Sequence, residues 1–392
     1  MKTTLFFTLL LSSNLFGVTL EEIITTSLSK SPSLESINAR IAANKKDIEL
    51  SNKFSNPKLS LITNTLDSDQ AMSKTTLTLQ QTIPFYSKRD SKQRVAIAEE
   101  NILHEKLRKA KVELVAAIKI EAYNIWELKE LYKTINEYVI LTEQNIELYE
   151  SYATTTENNH MGIMKAKLSL SDLQITRSNL GAKIYSSLAR LSYLAAFEVN
   201  DLDIKLKISQ KPELQKFQTM LANSPELAIK RGELAKRNAQ IQVADVNNYP
   251  DINLIGGYNY RENFDDFWSI GVGLSLPIYS REDSKLQKAR SLALSVKSRE
   301  SDTEISINSK VKVYFSQMKS SYEIYHIIQD DALPQIEHMF ELSNSSISTG
   351  SELFKYVDVL VQKLKLEQKS INAITNYNRA YAKISQLSGA IK

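Results

Sequence analysis

The sequence predicts a mainly α fold with a small β part, built as two copies of one helix–hairpin–helix unit. Three observations predict it. First, Pro32 and Pro225, Pro57 and Pro250, and Pro84 and Pro277 each stand 193 residues apart. Other identities keep the same gap-free register: Leu28 with Leu221, Ser31 with Ser224, Leu34 with Leu227, Ala42 with Ala235, Ile48 with Ile241 and Leu61 with Leu254. A period this long fixes the architecture before any single element is assigned. Second, each copy holds a stretch of strict two-residue alternation. Third, each alternating stretch is followed by a long run free of Gly with apolar residues at heptad-like spacing.

The chain opens with Lys2 and an apolar run over residues 5–11, followed by small and polar residues, so residues 1–17 are predicted to be a secretory signal peptide. The run is shorter than the ~20 residues of a spanning helix, which sets the membrane-anchor alternative behind it. The sequence holds no cysteine, which excludes disulfides, thiol chemistry and a lipidated N-terminal Cys. The net charge of +4 is spread as Lys/Arg interleaved with Asp/Glu, without the basic, aromatic-laced cluster of a nucleic-acid site.

Each repeat begins with helix. The first alternating stretch then puts Leu77, Leu79 and Ile83 on one face and Thr76, Thr78, Gln80 and Thr82 on the other. In the second repeat Ile252, Leu254, Gly256, Tyr258 and Tyr260 oppose Asn253, Ile255, Gly257, Asn259 and Arg261. The next strand sets Trp268, Ile270, Val272, Leu274 and Leu276 against Ser269, Gly271, Gly273 and Ser275. Strands of about ten residues with a greasy face, a small or polar face and aromatics near both ends carry the pattern of a membrane barrel. The alternative is a soluble sandwich hairpin. Four strands cannot close a barrel, and unclosed edges are not tolerated in lipid, so a membrane reading requires several chains; three would supply twelve strands.

From Ser87 to about Asn158 the sequence holds neither Pro nor Gly, enough for roughly 100 Å of helix. The second copy runs from Arg281 to about Ser346, with Pro334 expected to kink or bulge it. Gly162 and Gly350 are expected in turns, after which return helices run over Lys165–Ala196 and Leu353–Ser388. The domain reading is therefore 1–17 signal peptide, 18–196 first repeat with its hairpin at about 57–84, 197–218 linker, and 219–392 second repeat with its hairpin at about 250–277.

In order, the chain presents Leu20-Glu21-Glu22, Ser31-Pro32-Ser33-Leu34, Asn56-Pro57 and residues 80–89, Gln-Gln-Thr-Ile-Pro-Phe-Tyr-Ser-Lys-Arg. The second copy repeats the phrases as Asn223-Ser224-Pro225-Glu226-Leu227, Tyr249-Pro250, residues 274–279 (Leu-Ser-Leu-Pro-Ile-Tyr), and Gly350 with Val357-Asp358-Val359-Leu360. This order and doubling resembles the outer-membrane efflux protein family, the TolC-like channels. Residues 85–89 resemble a phrase of the heavy-metal (CzcC/CusC-like) branch, with Ser87 where Gly is commoner.

The resemblance implies a homotrimer in which long antiparallel helices form an α-barrel across the periplasm and four strands per chain contribute to a twelve-stranded β-barrel in outer-membrane lipid. It implies a passive exit duct for a tripartite efflux pump, joined through a periplasmic adaptor (membrane fusion) protein to an inner-membrane transporter of RND type, or alternatively ABC type. Heavy-metal cations are slightly favoured over drugs as cargo. Other readings are the outlet of a type I protein secretion system and a periplasmic coiled-coil structural protein. The chain stops three residues after Gly389, which on this resemblance implies a slim waist.

An enzyme is not expected. His104, His160, His326 and His338 are scattered and form no metal-binding spacing, so no metal, cofactor or catalytic residue is assigned. Asp265 and Asp266 fall in a predicted outer loop, where solvation explains them. The resemblance points to Asp358, Glu352 and Asp172 as periplasmic gate candidates, a threefold ring of carboxylates favouring cations. Asp358 lies eight residues past Gly350, a longer spacing than the motif's, which leaves a solvated helix-face Asp as the alternative. Gly162, Gly350 and Ser351 are the tip candidates for adaptor contact.

Overall fold

The computed structural model describes residues 18–64, 73–152, 157–262, 264–345 and 353–390. The predicted signal peptide and the candidates Gly350, Ser351 and Glu352 lie outside the described residues. The first repeat contains β1 (Val18–Thr19), α1 (Leu20–Lys30), α2 (Pro32–Ser51), β2 (Lys58–Thr63), β3 (Thr75–Ile83), α3 (Tyr86–Tyr152) and α4 (Glu157–Ala195). After it come β4 (Leu202–Asp203), α5 (Leu214–Met220) and a 3-10 turn, Leu221–Asn223. The second repeat continues with α6 (Pro225–Val246), β5 (Ile252–Tyr260), β6 (Phe267–Leu274), α7 (Arg281–His326), a π turn (Ile327–Ala332), α8 (Leu333–Ser345) and α9 (Leu353–Ser388).

The same local chemistry starts both copies. Thr19 caps α1 reciprocally with Glu22: the Glu22 N–H donates to Thr19 Oγ1 at 3.3 Å, and the Thr19 N–H donates to the Glu22 carboxylate at 3.4 Å. Ser31 is extended at φ −64°, ψ 118°, as the residue before a proline prefers, and Pro32 opens α2. Ser224, at φ −57°, ψ 123°, does the same before Pro225, the first residue of α6.

The chain divides into two compact units. One comprises Ser33–Lys109 and Ala222–Ile307; the other holds residues up to Pro32, Ala110–Leu221 and Asn308 onward. In the first, four antiparallel strands lie in the order β2-β3-β5-β6. Leu59, Leu79, Gly256 and Ile270 align in one row across them, and Leu61, Leu77, Tyr258 and Trp268 in the next. The helices of this unit meet closely: Asn44 of α2 donates through Nδ2 to the Ala96 carbonyl of α3 at 3.0 Å, and Lys236 of α6 pairs with Glu99 at 2.9 Å.

The second unit is a helical body with two apolar cores. One buries Ile23, Ile118, Ile125 and Leu191 together with Val199 and Leu202. The segment expected as a linker is thus a packed strap, held further by the parallel pairing of Val18 with Leu202 and Thr19 with Asp203. The alternation signal needs four or more residues, so this two-residue pairing left no mark in the sequence. The other core joins α3, α4 and α9 through Ile135, Tyr138, Val139, Leu173, Val357 and Leu360.

Two placements differ from expectation. The return helix α4 already includes Glu157, ahead of the expected Lys165. Gly162, expected in a turn, is buried inside α4. A single Gly costs a helix only about 1 kcal/mol, and the next residue, Ile163, is buried in a core with Ala166 and Leu173 of the same helix. The expected bulge at Pro334 is the π turn just before it. The Leu333 N–H donates to Ile328 O, five residues back, and Pro334, having no N–H, cannot restore the α pattern at the next position.

Candidate functional site

The sheet's two faces differ as the alternation predicts. On one, Leu59, Leu61, Leu77, Leu79, Leu254, Val272 and Leu274 are all exposed, with Trp268 77% and Ile270 91% accessible. Uncovered apolar side chains in this number are a surface made for a non-aqueous neighbour. The other face is a hydrogen-bonded polar ladder. Thr76 Oγ1 lies 2.9 Å from Asn259 Oδ1, Thr82 Oγ1 lies 2.6 Å from Asn253 Oδ1, and Asn259 Nδ2 donates to Ser269 Oγ at 3.1 Å. Gly271 and Gly273 keep its last strand low.

Aromatics mark both ends of the sheet. At the β5–β6 turn the Arg261 guanidinium lies 5.2 Å from the Phe264 ring and 5.0 Å from that of Phe267. Asp266, which the sequence offered as merely solvated, organises this turn: its carboxylate accepts from the Tyr258 hydroxyl at 2.5 Å and from the Arg261 N–H at 2.9 Å. At the other end Phe85 stacks on Tyr249 with centroids 4.6 Å apart.

Beneath that stack Lys88 Nζ meets Asp251 Oδ1 at 2.8 Å, with the lysine side chain only 8% exposed. The same Oδ1 accepts from the Phe85 N–H at 3.0 Å. This pair ties the first turn of α3 to the entrance of β5. Lys88 and Asp251 fall in no shared motif, so sequence reading missed the pair; the one clue was a lysine in the first turn of a helix, where the dipole disfavours it.

Of the gate candidates, Asp358 lies on α9 and accepts from Lys165 Nζ of α4 at 2.7 Å. These two residues are 193 apart, the repeat period, so the pair joins equivalent positions of the two copies. Asp172 is exposed on α4, seven residues further along, and is not brought to Asp358. Gly162 lies one turn before Lys165, and its neighbour Ile163 sits in the α3–α4–α9 core. Among the described residues no group of three or more His, Cys, Asp or Glu side chains could hold a metal ion. No described helix is long and apolar enough to cross a membrane.

A four-stranded sheet with a bare apolar face, joined to long helices in a doubled unit, is the fold of the outer-membrane efflux channels. The chain superposes on a membrane protein from Pseudomonas aeruginosa with a TM-score of 0.80 at 15% identity, covering 94% of this chain and 90% of that one. It superposes on CusC with a TM-score of 0.79 at 13% identity, covering 94% and 91%. Residues 217–390, the second repeat, match the family model described as Outer membrane efflux protein. Over 175 residues the chain is 26% identical to the cobalt-zinc-cadmium resistance protein CzcC of Cupriavidus metallidurans; the match spans 44% of this chain and 41% of that protein.

Proposed function

We propose that this chain is one subunit of a homotrimeric outer-membrane exit duct that carries small solutes out of the cell as the passive outlet of a tripartite pump. The observation that carries this reading is the sheet, with one bare apolar face, one networked polar face and, among the described residues, β2 and β6 as its outer strands. Lipid covers the apolar face and the polar ladder faces the water-filled lumen. Energy comes from an inner-membrane transporter of RND type, joined through a periplasmic adaptor that contacts the start of α4, where Gly162 lies, and the segment joining α8 to α9, to which Gly350 and Ser351 belong. The chain itself does no covalent chemistry.

Heavy-metal cations are the preferred cargo. The likeness to the cobalt-zinc-cadmium resistance protein and to CusC supports this choice over drugs. On this reading Asp358, Glu352 and Asp172 are the gate-region carboxylates, with Lys165 holding Asp358 at rest. Both partners of that pair are partly exposed, so the latch is worth only ~0–1 kcal/mol per chain and opens at little cost. The test is deletion of the gene in its own host, with growth scored against cobalt, zinc and cadmium salts and against lipophilic dyes. Metal sensitivity restored by the wild-type gene supports the assignment. Sensitivity to dyes alone contradicts the cargo, and the loss of a secreted protein with neither would favour a secretion outlet.

A further inference from the structure

Inside the chain the two repeats meet where β3 pairs with β5, with Leu79 opposite Gly256, Gln80 opposite Ile255 and Gln81 opposite Leu254. The outer strands β2 and β6 are each paired on one side within the chain. By the repeat period, β6 stands where β3 does and β2 where β5 does. Moving Gln80 forward and Ile255 back by that period gives Gly273 and Ile62.

We propose that β6 pairs antiparallel with β2 of the next copy in one register: Val272 opposite Thr63, Gly273 opposite Ile62 and Leu274 opposite Leu61. This rests on the oligomeric-barrel reading above and specifies how that barrel closes. The face pattern fixes half of the answer. Leu61 shares the bare face with Leu59, and Leu274 shares it with Ile270 and Val272, so a one-residue slip would turn a whole apolar row toward the polar side. Only slips of two remain.

The two hairpins are not identical in register, since Ile252 faces Leu274, whereas carrying the Leu59–Leu79 pair forward by one period would set Ile252 opposite Val272. Closure geometry therefore has to agree with the repeat. One row crosses the chain as Lys58, Gln80, Ile255 and Gly271, and the proposed register continues it to Asn64 of the next copy. The row has climbed six residues per chain. Over three copies this tilts the strands by about 45°, inside the range of membrane barrels. A slip to eight per chain would tilt them by about 54°, outside that range. A slip to four gives about 35°, which geometry admits but which breaks the equivalence with the β3–β5 joint. The seam also differs chemically from the joint: Arg281 takes the place of Lys88, and Lys58 of the next copy takes that of Asp251. The joint's ion pair has no counterpart there, and closure rests on strand pairing.

The absence of cysteine makes the register directly testable. The double variants Gly273→Cys with Ile62→Cys and Leu274→Cys with Leu61→Cys occupy adjacent rows, one of which is the closer, non-hydrogen-bonded kind whose spacing suits a disulfide. A Cβ at Gly273 meets the Asn253 Cβ at 3.7 Å, an ordinary contact. Oxidised in membranes, one of these variants is expected to run as a covalent trimer on denaturing gels. The slipped pairs, Gly273→Cys with Ser60→Cys and Gly273→Cys with Asn64→Cys, should stay monomeric there. A trimer of native mass that cross-links in a slipped pair overturns the register and leaves the barrel reading standing. A native trimer that cross-links in no pair overturns the β6–β2 contact. A native monomer that never cross-links overturns both.

Discussion

Lys88 and Asp251 show how much one buried pair decides. Taking away one partner leaves a charge without its counter-ion, which costs more than the pair contributes. Asp251→Asn is expected to lower stability by about 3 kcal/mol, read as the midpoint of thermal unfolding in detergent. Adding Lys88→Met to it should recover most of the loss, because Asn still accepts the Phe85 N–H. Glu127 gives the pH dependence of the helical unit. Burial holds its carboxyl above the usual carboxylate range, against the attraction and hydrogen bond of Arg379. A raised carboxyl binds its proton more tightly folded than unfolded. Its contribution is therefore most favourable below pH ~4.3 and is lost as pH climbs through the raised folded value. Glu127→Gln should flatten the melting midpoint across mildly acidic pH; an unchanged slope would assign the dependence to other groups.

At the scale of elements, glycine reports where helices touch. A Cβ at Gly232 would sit 2.9 Å from Cγ1 of Ile102, which is itself buried, so Gly232→Ala is expected to lose about 1–3 kcal/mol by overpacking α6 against α3. At Gly181 the nearest atom is Tyr132 Cε2 at 4.0 Å, and Gly181→Ala should gain up to about 1 kcal/mol from helix propensity. Paired denaturant titrations separate the two. The elements themselves were largely legible. Alternation marked β3, β5 and β6, Ser-Pro marked the starts of α2 and α6, and Pro334 marked the π turn. What stayed hidden depends on three-dimensional partners. The strap over residues 197–204 becomes ordered by packing Val199 and Leu202 into a core. That α4 runs on through Gly162 goes with the burial of Gly162 and of Ile163 in the α3–α4–α9 core. The Lys165–Asp358 pair follows the repeat period, yet nothing in either residue's neighbourhood says that α4 and α9 lie side by side.

For the whole molecule, the account stands on lipid covering one face of the sheet and a second copy covering each edge. Val272→Lys puts a charge on the bare face and is expected to cost about 2–4 kcal/mol near mid-depth, seen as loss of folded protein in the outer membrane. Gly271→Ser, on the polar face where the nearest atom to an added Cβ is the Ile255 Cβ at 3.7 Å, should insert normally. Equal defects would reverse the assigned faces. The most direct measurement is the native mass of the protein extracted from membranes in mild detergent. A single species of three chains is the result the account predicts. A monomer released without detergent would contradict it.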